Sequence, residues 1–441
     1  MLKDRFDGST PILGRRLFFR HVASAVGGYI LLPGRPLETI ATAAAVTKNT
    51  AKNCIFVMLQ GAPSHTDTFD LKPGNGLPAA QFQPTQYQGL LFPQGLMPRI
   101  AEQLDSIALL RSVRAWANVH GLMQNWVQIG RNPAAPLAKI SPHIGSVASL
   151  ELAKKGAVLP PFMALNGTPR AASGFLPVAY APFLLTAGAG LPNTTHPDGA
   201  ERFATRTEML REAEKSGTAA AAMGAGPEEI ADWKARSQLL MYNSNVDRVF
   251  ALAPEDQGRY GNSAFGNACL TARNLLRANL GTRFIQITFA GWDHHANLYA
   301  QLTAMAPQLD SGLGALMSDL KTDGLFDETL IVAQGEFGRT VGPLNRNGGR
   351  DHFGQQTVLF AGARIRGGRA IGKTDELGAR TVEPGWSRDR DARAEDIEAT
   401  IYSALGIDWT TLKKDSRFGR GFEYVPGAGE DLYGPVNELW G

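Results

Sequence analysis

Histidine and carboxylate residues recur together at four places in the sequence, and mixed imidazole and carboxylate is the donor set of a zinc, manganese or iron site. One cluster is Ser64-His65-Thr66-Asp67-Thr68-Phe69-Asp70, and another is Gly291-Trp292-Asp293-His294-His295. Glu336 stands in Gly335-Glu336-Phe337-Gly338-Arg339-Thr340, and His352 in Gly349-Arg350-Asp351-His352. A further histidine, His120, lies in Asn118-Val119-His120-Gly121. Carboxylates alone would suit magnesium or calcium; imidazole among them moves the expectation to zinc or manganese. Side chains two apart on extended backbone point the same way. His65 with Asp67, and Asp293 with His295, could therefore each share an ion. Four such loops would supply ligands for one or two ions, and two ions about 4 Å apart clamp a transferring oxyanion. For each pair taken alone the competing reading is a hydrogen-bonded structural pair, and for Glu336 a loop or cap role. His143 and His196, each beside a proline, are expected in surface loops.

The elements that must carry these clusters can be read from periodicity. Asn53–Gln60 (NCIFVMLQ) is a short, continuous apolar run that reads as a buried strand, with the His65 cluster just beyond its end. Ile107–Arg111 reads as a second strand, and residues 71–100, rich in Pro, Gly and Gln, as loop. Ala264–Asn279 reads as helix, Arg283–Phe289 as strand and Leu298–Lys321 as a long amphipathic helix. Glu328–Ala333 and Thr357–Phe360 read as strands and Ala394–Leu405 as a closing helix. Alternating β and α elements with buried strands predict an α/β fold around a mostly parallel sheet flanked by helices. Polar clusters after strand ends are where such sheets bind ligands. Residues 181–260 are less patterned, and a peripheral excursion is expected there.

Composition narrows the function classes. The chain has 441 residues, 44% of them apolar, with only two cysteines, which excludes wholesale disorder and a disulfide-stapled mini-fold. Cys54 and Cys269 sit in apolar runs and are expected to be buried thiols. The net charge of +3 is confined to residues 1–45, which hold six basic and three acidic residues. The remaining 38 basic and 38 acidic residues cancel, so no basic face points to nucleic acid.

That N-terminal segment reads as an address. Arg15-Arg16-Leu17-Phe18-Phe19-Arg20 is a twin-arginine run, followed by a modest apolar stretch, Val22 to Leu32, and by the small residues Ala41-Thr42-Ala43-Ala44-Ala45. This order describes a cleaved signal for Tat export to the periplasm or beyond, with the Tat translocase as a transient partner. The alternative is an amphipathic helix that stays on the protein. The apolar stretch falls well short of the ~20 residues that span a bilayer, and no transmembrane segment is expected in the mature chain 46–441, read as a single domain.

Two motifs are declined. Gly367-Gly368-Arg369-Ala370-Ile371-Gly372-Lys373-Thr374 matches the phosphate-loop pattern letter for letter. No helix can follow through Gly378 and Pro384-Gly385, so ATP is not expected as a cofactor. No G-x-S-x-G nucleophile elbow is present, and Ser64 and His65, as neighbours on extended backbone, would point apart.

The four clusters, in this order, resemble the signature runs of an exported bacterial family catalogued as domain of unknown function 1501. The resemblance continues through Tyr260-Gly261, Cys269-Leu270-Thr271-Ala272-Arg273, Asp396-Ile397-Glu398-Ala399-Thr400 and Leu405-Gly406-Ile407. That family is grouped with the alkaline phosphatase and sulfatase superfamily. The grouping implies a large three-layer α/β fold with a two-metal centre or a remnant of one. Phe326-Asp327-Glu328-Thr329-Leu330-Ile331-Val332, followed by Gly335-Glu336-Phe337-Gly338, resembles the sulfatase strand that ends in Ser-Asp-His-Gly. On that match Glu336 takes the place of a metal-binding Asp and Phe337 that of a His. Asp293 and His295 resemble the Asp and His that precede the long helix, and His352 the last metal-binding His. The superfamily nucleophile should fall near Val119–Arg131, but Asn118 to Trp126 contains no hydroxyl or thiol.

The expectation is thus an exported hydrolase of a phosphate or sulfate ester, on a small molecule or glycan, with water as nucleophile. His65, Asp67, Asp293, His295, Glu336 and His352 are the expected ligands of zinc or manganese, and His120 the expected acid/base. Two alternatives stand beside it. One is a non-catalytic metal- or ligand-binding protein on the same fold, the other an oxidoreductase using one transition metal.

Overall fold

The computed structural model describes residues 45–215, 227–413 and 421–441. The export signal expected over residues 1–45 lies, apart from Ala45, outside the described residues.

Eight strands form the central sheet: β1 (Asn53–Gln60), β2 (Ile107–Arg114), β3 (Phe162–Leu165), β4 (Phe183–Leu185), β5 (Phe284–Ala290), β6 (Thr329–Gln334), β7 (Gln355–Gly362) and β8 (Arg369–Ile371). Their spatial order is β8-β2-β7-β6-β1-β5-β3-β4. β1 lies at the centre, with Val57 opposite Ile287 of β5 on one side and Ala333 of β6 on the other. Neighbours are parallel except around β7, which runs antiparallel to both β2 and β6. One edge of the sheet therefore collects the C-terminal ends of seven strands and the N-terminal end of β7.

Strand alternation fills two cores. Ile55, Val57 and Leu59 of β1 face one of them with helices α5 (Ala264–Ala278) and α6 (Leu298–Thr322). Cys54, Phe56 and Met58 face the other, with α1 (His120–Ile129), α2 (Ile144–Leu152) and α7 (Ala394–Ala404). Both faces are covered, which is why β1 reads as continuously apolar and why the result is a three-layer α/β fold. Cys54 and Cys269 are buried free thiols in opposite cores. Each element expected from periodicity forms, within one or two residues at its ends except the strand expected over Ile107–Arg111, which runs three residues further, to Arg114.

Two stretches differ from expectation. Residues 71–100 are not featureless loop: Pro84–Tyr87 and Leu90–Pro93 pair as a small hairpin, anchored by the buried side chains of Phe82, Leu90 and Phe92. Residues 181–260 begin with the edge strand β4 of the central sheet, and the described residues beyond it include the helices α3 (Gly199–Lys215) and α4 (Pro227–Leu240). None of their described side chains is buried, which explains the weak patterning. Among the described residues no helix is long and apolar enough to cross a membrane.

Candidate metal centre

The polar clusters meet at that collecting edge. The chain leaves β2 at Arg114 and runs to His120, the first residue of α1. It leaves β5 at Ala290, passes Asp293 and His295 and enters α6 at Leu298. Beyond β6 it passes Glu336, and Gly338–Arg339 then pairs antiparallel with His352–Phe353, which sets His352 opposite Arg339 just before β7. Gly61, at the end of β1, has φ +108 and lies so close to the neighbouring loop that a Cβ would stand 2.6 Å from the Asp293 backbone nitrogen. Only glycine lets these two strand ends approach in this way.

Four side chains converge. His120, Asp293, His295 and His352 each place one ligand-type atom within 4.8 Å of all the others. Asp293 Oδ1 is 3.0 Å from His295 Nε2, 3.3 Å from His120 Nε2 and 3.7 Å from His352 Nε2. The far nitrogen of each imidazole is tied to an oxygen. His120 Nδ1 meets Glu336 Oε1 at 2.6 Å, His295 Nδ1 meets Asp351 Oδ1 at 2.7 Å, and His352 Nδ1 meets the Asn118 carbonyl at 2.9 Å. Carboxylates and carbonyls accept, so each Nδ1 carries the proton and each Nε2 presents a lone pair inward. His295 Nε2 and His352 Nε2 lie only 3.0 Å apart. His120 Nε2 is buried without a hydrogen bond. Facing lone pairs and an orphaned nitrogen fit a divalent cation of the zinc class, whose ligands are imidazole and carboxylate.

The surroundings set the charge. Arg339 is buried, donates from Nη2 to Asp293 Oδ1 at 2.5 Å and also to the Gly61 carbonyl, and donates from Nε to the Ala62 carbonyl at 2.9 Å. Burial pushes the Asp293 carboxyl up, but hydrogen bonding and charge from Arg339 outweigh it and hold Asp293 below the usual carboxylate value. The Glu336 hydrogen bond raises the His120 imidazole above its ordinary value, with burial opposing. Burial chiefly lowers His352. Phe337 packs against both, its ring centre 4.8 Å from that of His120 and 4.7 Å from that of His352.

Three expected ligands stand outside this convergence. Glu336 lies one bond behind it: its carboxylate accepts from the Gly61 N–H at 3.0 Å, from Gln124 Nε2 at 3.0 Å and from His120. His65 and Asp67 do not share a face, because His65–Asp67 is a 3-10 turn rather than extended backbone. Asp67 is wholly buried against Arg350, with Nε to Oδ2 at 2.6 Å, and also accepts from Ser64 Oγ. His65 Nε2 meets the Gly378 carbonyl at 2.9 Å, and its Nδ1 faces the Arg339 N–H at 3.5 Å.

His143 is not a surface loop residue. It is fully buried, accepts from the Gly145 N–H at 2.8 Å to cap α2, and its Nε2 meets Gln286 Oε1 at 2.8 Å. With both nitrogens satisfied inside the fold the ring stays neutral, and burial pushes it down to about 3. His196 does lie in a partly exposed loop. His294 is buried outside the cluster. The phosphate-loop lookalike is strand, at Arg369–Ile371 and Lys373–Thr374, with no helix after it.

Sequence reasoning missed Asp351, Asn118, Arg339 and Gln124 as supports. Asp351 and Arg339 lay inside quoted motifs, so residue type was visible there and only the role was hidden. Gln124 is one helical turn after His120, a spacing that puts both on one face. Nothing local signals that the Asn118 carbonyl reaches His352.

No curated protein matches the chain in sequence. Among solved structures the chain is similar to the PsFucS1 sulfatase from Pseudoalteromonas sp., at 14% identity and a TM-score of 0.38, over 81% of this chain and 68% of that one. It is similar to the phosphonate monoester hydrolase of Agrobacterium radiobacter at 12% identity and a TM-score of 0.39, over 80% and 74%. A third is the lipoteichoic acid synthase LtaP from Listeria monocytogenes, at 9% identity and a TM-score of 0.39, over 87% and 79%. The family model described as "Protein of unknown function (DUF1501)" matches residues 51–427, and the chain belongs to that family.

Proposed function

We propose that the protein is a metal-dependent hydrolase of a phosphate or sulfate ester. One observation carries the reading: three imidazoles, each fixed through Nδ1 by an oxygen acceptor, turn Nε2 inward on a shared carboxylate oxygen. Asp293, His295 and His352 would hold one divalent ion, zinc or manganese. Three protein ligands with an open position are the pattern of catalytic rather than structural zinc. When bound, such an ion polarises an ester oxygen and acidifies water.

The chain's own groups do the rest. His120 is the acid/base, moving a proton at Nε2 while Glu336 holds Nδ1 and the ring orientation. Arg339 keeps Asp293 ionised and aimed. Phe337 stands where the superfamily resemblance would put a second histidine, and an apolar ring there favours one ion over two.

The test is metal content of the purified protein, with turnover of a panel of aryl phosphate and sulfate esters before and after chelation. Zinc or manganese near one per chain, with turnover lost on chelation and restored by the ion, is the expected result. A His120→Asn variant should keep the ion and lose turnover. Absence of any metal from the wild type after growth with added zinc and manganese would sink the reading.

A second reading is metal-dependent binding without turnover. It is favoured by the start of α1, which has His120 and no hydroxyl or thiol where a covalent nucleophile would stand. In that case His120 is a fourth ligand closing the site, and His120→Asn loses the ion. Export by the Tat pathway is proposed from Arg15-Arg16 and the segment behind them; replacing both arginines by lysine should leave the protein in the cytoplasm.

A further inference from the structure

The loop after β3 brings a cation to the same edge of the sheet. Arg170 is exposed, and among the described residues its hydrogen bonds run to two glutamines and to no carboxylate. It is nonetheless held in place. Gln124 Oε1 accepts from Arg170 Nε at 3.0 Å and from Nη2 at 2.7 Å, while Gln128 Oε1 accepts from the Arg170 backbone N–H at 2.7 Å. Both glutamines are buried, 5% and 3% exposed, and they follow His120 by one and two turns of α1. The amide of Gln124 then donates to Glu336 Oε1 at 3.0 Å, the same oxygen that His120 Nδ1 reaches. One side-chain amide thus links the guanidinium of Arg170 to the carboxylate behind His120.

Burying two primary amides is costly unless their hydrogen bonds are used. Here their acceptor oxygens are spent on orienting a charge that balances nothing inside the protein. Arg339 and Arg350 are the contrast: both are buried, and each ends on a carboxylate, Asp293 and Asp67. Gln124 takes the Nε and Nη2 of Arg170, and the Nη1 nitrogen has no protein partner among the described residues. A fixed guanidinium with spare donors, open to solvent, is a receptor for a tetrahedral oxyanion.

We infer that Arg170 holds the anionic oxygens of the substrate's phosphate or sulfate group while the ester bond faces His120. This assignment rests on the hydrolase reading above, for it places the group that the reading requires. It makes Arg170 a substrate-binding residue, positioned by Gln124 and Gln128.

The experiment is calorimetric titration of the purified protein with inorganic phosphate and, separately, sulfate, each with and without added zinc. Zinc content is measured on the same samples. Wild type should bind at least one of the two anions, and the stronger one identifies the ester class. Arg170→Met should weaken that binding about ten- to a hundredfold, the worth of a charged hydrogen-bonded pair. Arg170→Lys should recover part of it, and Gln128→Leu should lose less than Arg170→Met. Zinc content should be unchanged in all of them, and thermal unfolding identifies any variant that fails to fold. Equal anion binding by wild type and Arg170→Met overturns the assignment, as does a wild type that binds neither anion. Zinc content reports on the underlying reading independently. A wild type without zinc defeats that reading, while the anion titration still decides whether Arg170 is an oxyanion receptor.

Discussion

Two loops at the same edge of the sheet carry nearly the same residues and have opposite fates. Ser64-His65-Thr66-Asp67 follows β1, and Trp292-Asp293-His294-His295 follows β5, its immediate neighbour in the sheet. In each a histidine and an aspartate are two apart. In the first loop Asp67 is fully buried on Arg350, and both nitrogens of His65 face backbone groups. In the second, the side chains of Asp293 and His295 are 46% and 43% exposed, and Asp293 Oδ1 and His295 Nε2 face other imidazoles as well as Arg339. Residue type and spacing are shared; what separates the loops is who arrives from elsewhere in the chain. Arg350 and Gly378 consume the donors of the first, whereas His120 and His352 bring unspent lone pairs to the second.

The largest expected effect breaks the comparison at the buried loop. Asp67→Ala leaves Arg350 without a counter-charge in the interior and should cost about 3–5 kcal/mol in urea unfolding. Metal content of its folded fraction should stay at the wild-type level. A stable Asp67→Ala protein that has lost its metal would make the two loops equivalent and refute the distinction.

Zinc itself gives the next effect. At a free concentration a hundredfold above Kd it should stabilise wild type by about 2.7 kcal/mol. That increment should vanish in His352→Ala and persist in His65→Gln, as read from unfolding curves with and without the ion. Without zinc, His352→Ala should differ from wild type by less than about 1 kcal/mol, because the ring is partly exposed and has one backbone partner. A large loss in the apo protein would mean that this histidine is structural, as His65 is.

A third histidine sharpens the contrast through pH. His143 is held neutral, pushed down to about 3, while an unfolded histidine titrates near 6.5. Between those values the unfolded chain binds the extra proton. Stability is therefore intact above pH about 6.5 and falls as the pH drops towards 3, by up to about 1.4 kcal/mol per pH unit. His143→Asn should be less stable at pH 7 and show a shallower decline to pH 4. An unchanged slope would mean that His143 does not titrate as a buried neutral ring.

Much of the fold was legible because strands buried on both faces are continuous apolar runs and α6 repeats leucine at helical spacing. The antiparallel course of β7 was not legible, since nothing in Gln355–Gly362 distinguishes direction. The site was legible in its residue types and only partly in its membership. Asp293, His295 and His352 meet, and His120 joins them, whereas His65, Asp67 and Glu336 are held by other protein groups. Extended geometry was the wrong premise for His65–Asp67, where a hydrogen bond from Ser64 to Asp67 accompanies a tight turn. Arg170 was invisible because its meaning depends on a missing carboxylate and on two glutamines some 40 residues away.

The backward strand has a consequence for how the molecule is made. β7 joins β6 to β2, pairing Val358 with Leu110 and Phe360 with Val332, and it is preceded directly by His352. His120 therefore has no fixed relation to Asp293 until residues 352–362 have left the ribosome and the sheet has closed around them. Such long-range pairing is slow relative to local helix formation. A nascent chain lacking this segment has no three-histidine trap in which to hold a stray ion. Any metal that the site takes would enter only once this segment has docked, so competition between ions would be settled from that stage on.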